Sequence, residues 1–184
     1  LLDDDVLFVQ KWPWSFGEDY PWWRYVQRRE VSIRDKELLQ KRLTKAETVC
    51  FQAGDSGVAI EAGNSRIDGI SVAAVTSEYP EVISLEMECG RFFSPTESAA
   101  GHGLAIIGYD IAMELFDRVD VRGKVVEIKG QSLEVIGVIA QQGASIVNDG
   151  LDRNVFVPAK FGLRIMKYAD DTVSYTHLRA HETL

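Results

Sequence analysis

The stretch Val82–Gly143 constrains the fold more than any other part of this chain. Its apolar runs are short and are repeatedly cut by glycine, at Gly90, Gly103, Gly123, Gly130 and Gly137. Long helices and long unbroken strands are therefore excluded here. Leu104–Ile107 is a continuous apolar run, which suits a strand covered on both faces. Tyr109–Phe116 predicts a short helix with Ile111, Leu115 and Phe116 turned inward. Lys124–Lys129 alternates, with Val126 and Ile128 on one side. Gln131–Gln141 alternates on its return, so the two predict a hairpin around Lys129-Gly130. Ser94-Pro-Thr-Glu97 predicts a helix start, with Ser as N-cap, Pro at the first helical position and Glu closing a capping box. Of the adjacent Phe92 and Phe93, an extended backbone buries one. Short strands mixed with short helices predict an α+β domain.

The preceding half follows the same logic. Asp5–Gln10 reads as a strand. Ser32-Ile-Arg-Asp35 predicts a capping box that opens a helix from Ile33 to about Lys45. Leu38, Leu39, Leu43 and Ala46 give that helix an apolar stripe, with Lys36, Lys41 and Arg42 expected in solvent. Glu47–Ala53 reads as a strand, Ala53–Gly57 as a turn, and Val58–Ala62 and Ser65–Val75 as strands around Gly63-Asn64. Ser77–Glu81 begins a short helical turn. Val155–Pro158 is the last clear strand, and Ala159–Tyr168 begins a helix.

Composition narrows the function. With 184 residues, of which 46% are hydrophobic, the chain has enough material for a packed core without disulfide staples. A net charge of −8 argues against a nucleic-acid partner, which asks for a basic surface, and lends no support to docking on anionic lipid. No run approaches the roughly 20 apolar residues that span a bilayer. No leader sequence is recognisable, and the chain opens without Met, so it reads as a fragment whose start, with any membrane helix, lies upstream.

No catalytic, cofactor-binding or metal-binding set emerges, and the chain does not read as an enzyme. Acids are numerous but scattered, and Asp3-Asp4-Asp5 reads as a solvated run. No nucleophile elbow, phosphate-binding loop, zinc-protease helix or calcium loop occurs. Arg91 and Arg122 could meet anions, but each fits better as an ion-paired arginine at a turn. Cys50 and Cys89 read either as buried small hydrophobes or, in an oxidising compartment, as a disulfide pair.

The two ends stand apart. All four tryptophans fall between residues 12 and 23, where Pro13, Gly17 and Pro21 forbid a continuous helix. Trp12, Trp14, Trp22, Trp23 and Tyr25 are candidates for a membrane-interface or partner contact, set against a plain aromatic loop packed on the domain. Val173–Thr183 resembles the in-frame translation of a sequencing adapter. It is therefore set aside as a non-native tail, and with it the i, i+4 pair His177 and His181.

The order of motifs has a family likeness. Gly90-Arg-Phe-Phe-Ser-Pro-Thr-Glu97, Leu104-Ala-Ile-Ile-Gly108, Ala112-Met-Glu-Leu-Phe116, Gly123-Lys124, Leu133-Glu-Val-Ile-Gly-Val138, Gln142-Gly143 and Leu151-Asp-Arg-Asn-Val-Phe-Val-Pro158 follow in sequence. Together they resemble the MacB-like periplasmic core domain of ABC transporter permeases of the FtsX-like type. The Trp-Pro-Trp and Pro-Trp-Trp stretches resemble its Bacteroidetes-type variant. The resemblance implies a two-lobed domain with mixed small sheets and short helices, one lobe inserted in the other. The first lobe would be residues 1–80, the inserted lobe 81–158, and a truncated return 159–172, with 173–184 as the tail. It implies a place on the periplasmic side of the inner membrane and a non-catalytic role coupling ATP-driven motion to substrates or partner proteins. The implied partners are an ABC ATPase subunit or domain, a membrane-fusion adaptor and a second permease copy, with no cofactor. The competing reading is a ligand-binding or sensing module that uses the Trp-rich loop.

Overall fold

A computed structural model describes residues 6–11, 27, 29, 31–43, 46–83, 85–142, 151–166 and 173–180. The chain order is β1 (Val6–Gln10), α1 (Ile33–Arg42), β2 (Ala46–Ala62), β3 (Ser65–Val75), α2 (Tyr79–Val82) and β4 (Met87–Gly90). Then follow α3 (Pro95–Ala100), β5 (Leu104–Ile107), α4 (Tyr109–Phe116), β6 (Val125–Ile128) and β7 (Gln131–Ile139). A 3₁₀ turn (Leu151–Arg153), β8 (Asn154–Pro158), α5 (Ala159–Ile165) and β9 (Val173–Ala180) complete it.

The strand ladders close on themselves. β2 pairs with β3, β3 with β8, β8 with β5, β5 with β7, β7 with β6, and β6 returns to β2. Six strands thereby form a ring with a shared interior, and closure leaves those strands no long open edge. β4 extends the sheet from β7, while β9 and then β1 extend it from β2. The stretch set aside as adapter-like thus occupies the position between β1 and β2. The expected lobe junctions fall inside α2 and at the end of β8, and the β3–β8 and β2–β6 ladders join the chain on either side of them.

Strand alternation explains the two apolar clusters. Ile107 packs with Ile60, Ile70, Val126, Ile128, Leu133 and Val135 in the larger one. Its neighbour Ile106 points the other way, into a cluster with Tyr79, Phe93, Ile139 and Phe156. Successive strand side chains face opposite sides, so a strand covered on both must be apolar throughout. Each fully buried isoleucine contributes on the order of 2 kcal/mol of transfer free energy. Phe93 is the buried ring of its pair, and Phe92 packs against it with centroids 4.8 Å apart.

Two expectations are corrected. The segment Ala53–Gly57 is not a turn: β2 runs through it, and register shifts around Val58 absorb the extra residues as a bulge. Gly57, with φ +71°, supplies the conformation that a bulge needs. The α1 stripe also holds only in part, with Leu39 half-buried and Lys41 and Arg42 exposed, and the helix ends at Arg42. Lys36 is buried, whereas Leu38 and Leu43 are 50% and 38% exposed. Rotation of α1 is set by its entry, where Val31 and Ile33 pack on the core and Asp35 accepts hydrogen bonds from the Ser32 backbone N–H and hydroxyl. That orientation carries Lys36 onto an acid supplied by the loop after β3.

Candidate functional site

A cleft of about 390 Å³ opens where α1, the β3–α2 loop, α3 and α5 converge. Thr76 follows directly on the end of β3, and its hydroxyl accepts a hydrogen bond from the buried Phe51 N–H at 3.1 Å. This fixes the loop that presents Glu78. On the facing wall Lys36 Nζ donates to Glu78 Oε1 at 2.6 Å. Burial by itself would raise the Glu78 carboxyl, but the Lys36 ammonium, together with hydrogen bonds from the Glu78 backbone and the Thr76 side chain, outweighs it and holds the group below its ordinary range. The second oxygen, Oε2, is buried without a hydrogen-bond partner among the described residues.

The third wall is α3, which is positioned by its caps. Ser94 Oγ accepts from the Glu97 N–H, and Glu97 Oε2 accepts from the Ser94 N–H at 2.9 Å. Arg91 grips the same carboxylate through both terminal nitrogens, at 2.7 and 2.6 Å. The Arg91 guanidinium, with the Ser94 hydrogen bonds, holds Glu97 down to about 2. At the other end of α3, Gly101 takes the left-handed conformation. Lys160 Nζ donates to the Ala99 carbonyl at 3.1 Å and Arg164 to that of Gly101. Ser98 is only 8% exposed and lines the cleft.

A second, wider groove runs beside the β2 bulge and the β6–β7 turn. It is polar: Lys129 pairs with Asp55, and Arg66 with both Glu61 and Asp68. These charges satisfy one another in solvent and leave no reactive pair. Arg122 pairs with Asp120 at 2.7 Å, beside the Cys89 thiol, which burial pushes upward. Both arginines considered as anion sites, Arg91 and Arg122, are thus engaged by carboxylates. No disulfide joins Cys50, which is buried, to Cys89, which is half-buried. Among the described residues no group of three or more His, Cys, Asp or Glu could hold a metal ion, and no helix is long and apolar enough to cross a membrane.

Trp12, Trp14, Trp22, Trp23 and Tyr25 lie outside the described residues. The cleft residues Lys36, Glu78, Ser98 and Lys160 come from four distant segments, and none belongs to a sequence motif. The one available signal is a lysine three residues into a helix otherwise read as amphipathic, and its pattern pointed to solvent.

A family model described as MacB-like periplasmic core domain matches residues 2–183. An uncharacterized ABC transporter permease, YknZ of Bacillus subtilis, is 41% identical over 69 residues, covering 38% of this chain and 17% of that protein. The macrolide export ATP-binding/permease protein MacB of Bdellovibrio bacteriovorus is 33% identical over 95 residues, covering 52% and 14% respectively. The chain therefore spans about a sixth of the length of these relatives. The crystal structure of the periplasmic region of MacB from Actinobacillus actinomycetemcomitans superimposes with a TM-score of 0.76 at 15% identity, covering 98% of this chain and 77% of that one, which is a likeness of fold.

Proposed function

This chain belongs to the MacB-like periplasmic core domain family, and from that premise we propose that it is a non-catalytic transmission domain of an ABC transporter permease. In this reading an ABC ATPase on the far side of the membrane drives the permease, and the domain carries the motion to substrates or partner proteins in the periplasm. The supporting observation is the closed ring of six strands filled by one core. A ring of ladders resists shear between its strands, so force applied at one place displaces the whole body. Relatives named for macrolide and pyoverdine export favour a small-molecule exporter. A membrane-fusion adaptor and a second permease copy are proposed as partners on the family resemblance alone. Trp12, Trp14, Trp22, Trp23 and Tyr25 are proposed as interface contacts on the strength of their composition.

Spin labels test the reading in the complete transporter. A label at exposed Asp68 in each of two copies should report a changed intermolecular distance on ATP binding. A pair at Asp68 and Glu134 within one copy should keep its distance. Unchanged distances between copies throughout the ATP cycle would refute transmission.

A further inference from the structure

We propose that the cleft between α1, α3 and α5 binds a small zwitterion, an amino acid or short peptide with free termini. The inference goes beyond force transmission and stands on the chemistry of the cleft walls. The buried Lys36–Glu78 pair neutralises itself, so the floor favours neither a cation nor an anion. Two opposite charges remain on different walls: Glu37 on α1 and Lys160 on α5. Both are exposed, and neither has an ion-pair partner among the described residues. A ligand carrying one ammonium and one carboxylate matches that arrangement, whereas a singly charged ligand leaves one wall opposed.

One further wall group is polar: Ser98 lines the cleft, and its side chain makes no hydrogen bond among the described residues. A ligand ammonium can donate to Glu37 and a ligand carboxylate can accept from Lys160. Ser98 can serve either group. Ile33, Pro95, Ala99 and Ala159 leave an apolar stretch between them for a small side chain. Because the walls come from α1 on one side and from α3 and α5 on the other, occupancy would tie these elements together.

Isothermal titration of the 184-residue chain with alanyl-alanine and trialanine, against the N-acetylated, C-amidated forms, tests this. Free peptides should bind and capped ones should bind at least tenfold more weakly, because each lost charge-assisted hydrogen bond is worth about that factor. Lys160→Met and Glu37→Gln should each weaken binding about tenfold, while Lys124→Met, remote from the cleft, leaves it unchanged. Glu37→Gln guards against misfolding, since Lys160 also caps α3. Amide shifts on titration should map to Ser77, Ser98 and Ala99. Equal affinity for free and capped peptides, unaltered affinity in both cleft variants, or no binding at millimolar peptide overturns the proposal.

Discussion

Lys36 and Glu78, 42 positions apart in sequence, meet as a 2.6 Å ion pair with the lysine side chain only 9% exposed. The pair holds α1 on the body where the exposed Leu38 does not. Removing one partner leaves a charge in a site built for two. Lys36→Met should therefore destabilise the fold by about 2 kcal/mol, at the lower end for a buried pair because Glu78 keeps some contact with water. Replacing both, by Lys36→Met with Glu78→Leu, should restore most of the loss. Urea unfolding of the single and double variants decides it; a double variant as weak as the single one contradicts this account.

The exposed face of α1 predicts the opposite of what its pattern suggests. Leu38→Ser should change stability by less than about 0.5 kcal/mol, as for other surface positions. Ile107→Ala, by contrast, should cost about 3 kcal/mol or more, because it opens a cavity in a core position. Comparable losses for the two would place Leu38 in a core.

Gly108 and Gly90 are required by backbone packing, whereas Gly123 and Gly130 are required by conformation alone. A Cβ at Gly108 would lie 2.2 Å from the Asp152 carbonyl oxygen. One at Gly90, where φ is +81°, would lie 2.2 Å from that of Ile136. Gly123 and Gly130 also have positive φ, but nothing lies within 4 Å of an added Cβ. Gly108→Ala and Gly90→Ala should each cost about 3 kcal/mol or more, and Gly123→Ala and Gly130→Ala only about 1 kcal/mol. Thermal unfolding of the four variants separates steric from conformational need.

The Arg91–Glu97–Ser94 cluster predicts an acid dependence. The Glu97 carboxyl is held at about 2 in the folded chain, against an ordinary 4.5. Its contribution to stability is therefore complete above pH 4.5 and is lost as pH falls towards 2. Arg91→Gln should return the carboxyl towards its ordinary value and flatten that part of the stability curve. Ser94→Ala should cost about 1 kcal/mol at neutral pH through the lost cap. Carbon-detected NMR titration of the Glu97 carboxyl reads the first directly; a midpoint near 4.5 in the unmodified chain contradicts it.

Much of the fold is legible from local pattern. The Ser94–Glu97 cap, the Gly63-Asn64 and Lys129-Gly130 hairpin turns, and the doubly buried Leu104–Ile107 strand each rest on a few neighbouring residues. Their physics is local: a hydroxyl reaching an amide three residues on, a positive φ, an apolar run of strand length. Gly-Asp-Ser-Gly suits a turn and a bulge equally well, and it is pairing with β3 on both sides of the segment that makes it a bulge. The cleft was invisible because no spacing relates Lys36, Glu78, Ser98 and Lys160.

By itself, the sequence determined the short elements, their caps and turns, the α+β class and, through the ordered motifs, the family. Tertiary structure alone decided that six strands close into a ring, that α1 turns Lys36 inward and Leu38 outward, and that four distant segments wall a cleft. The division has a physical reason. Caps, turns and alternation are settled by residues within about four positions of one another. The rotation of a helix and the partners of a strand depend on which distant surfaces are available to cover them, and a leucine stripe points inward only if the body meets that side.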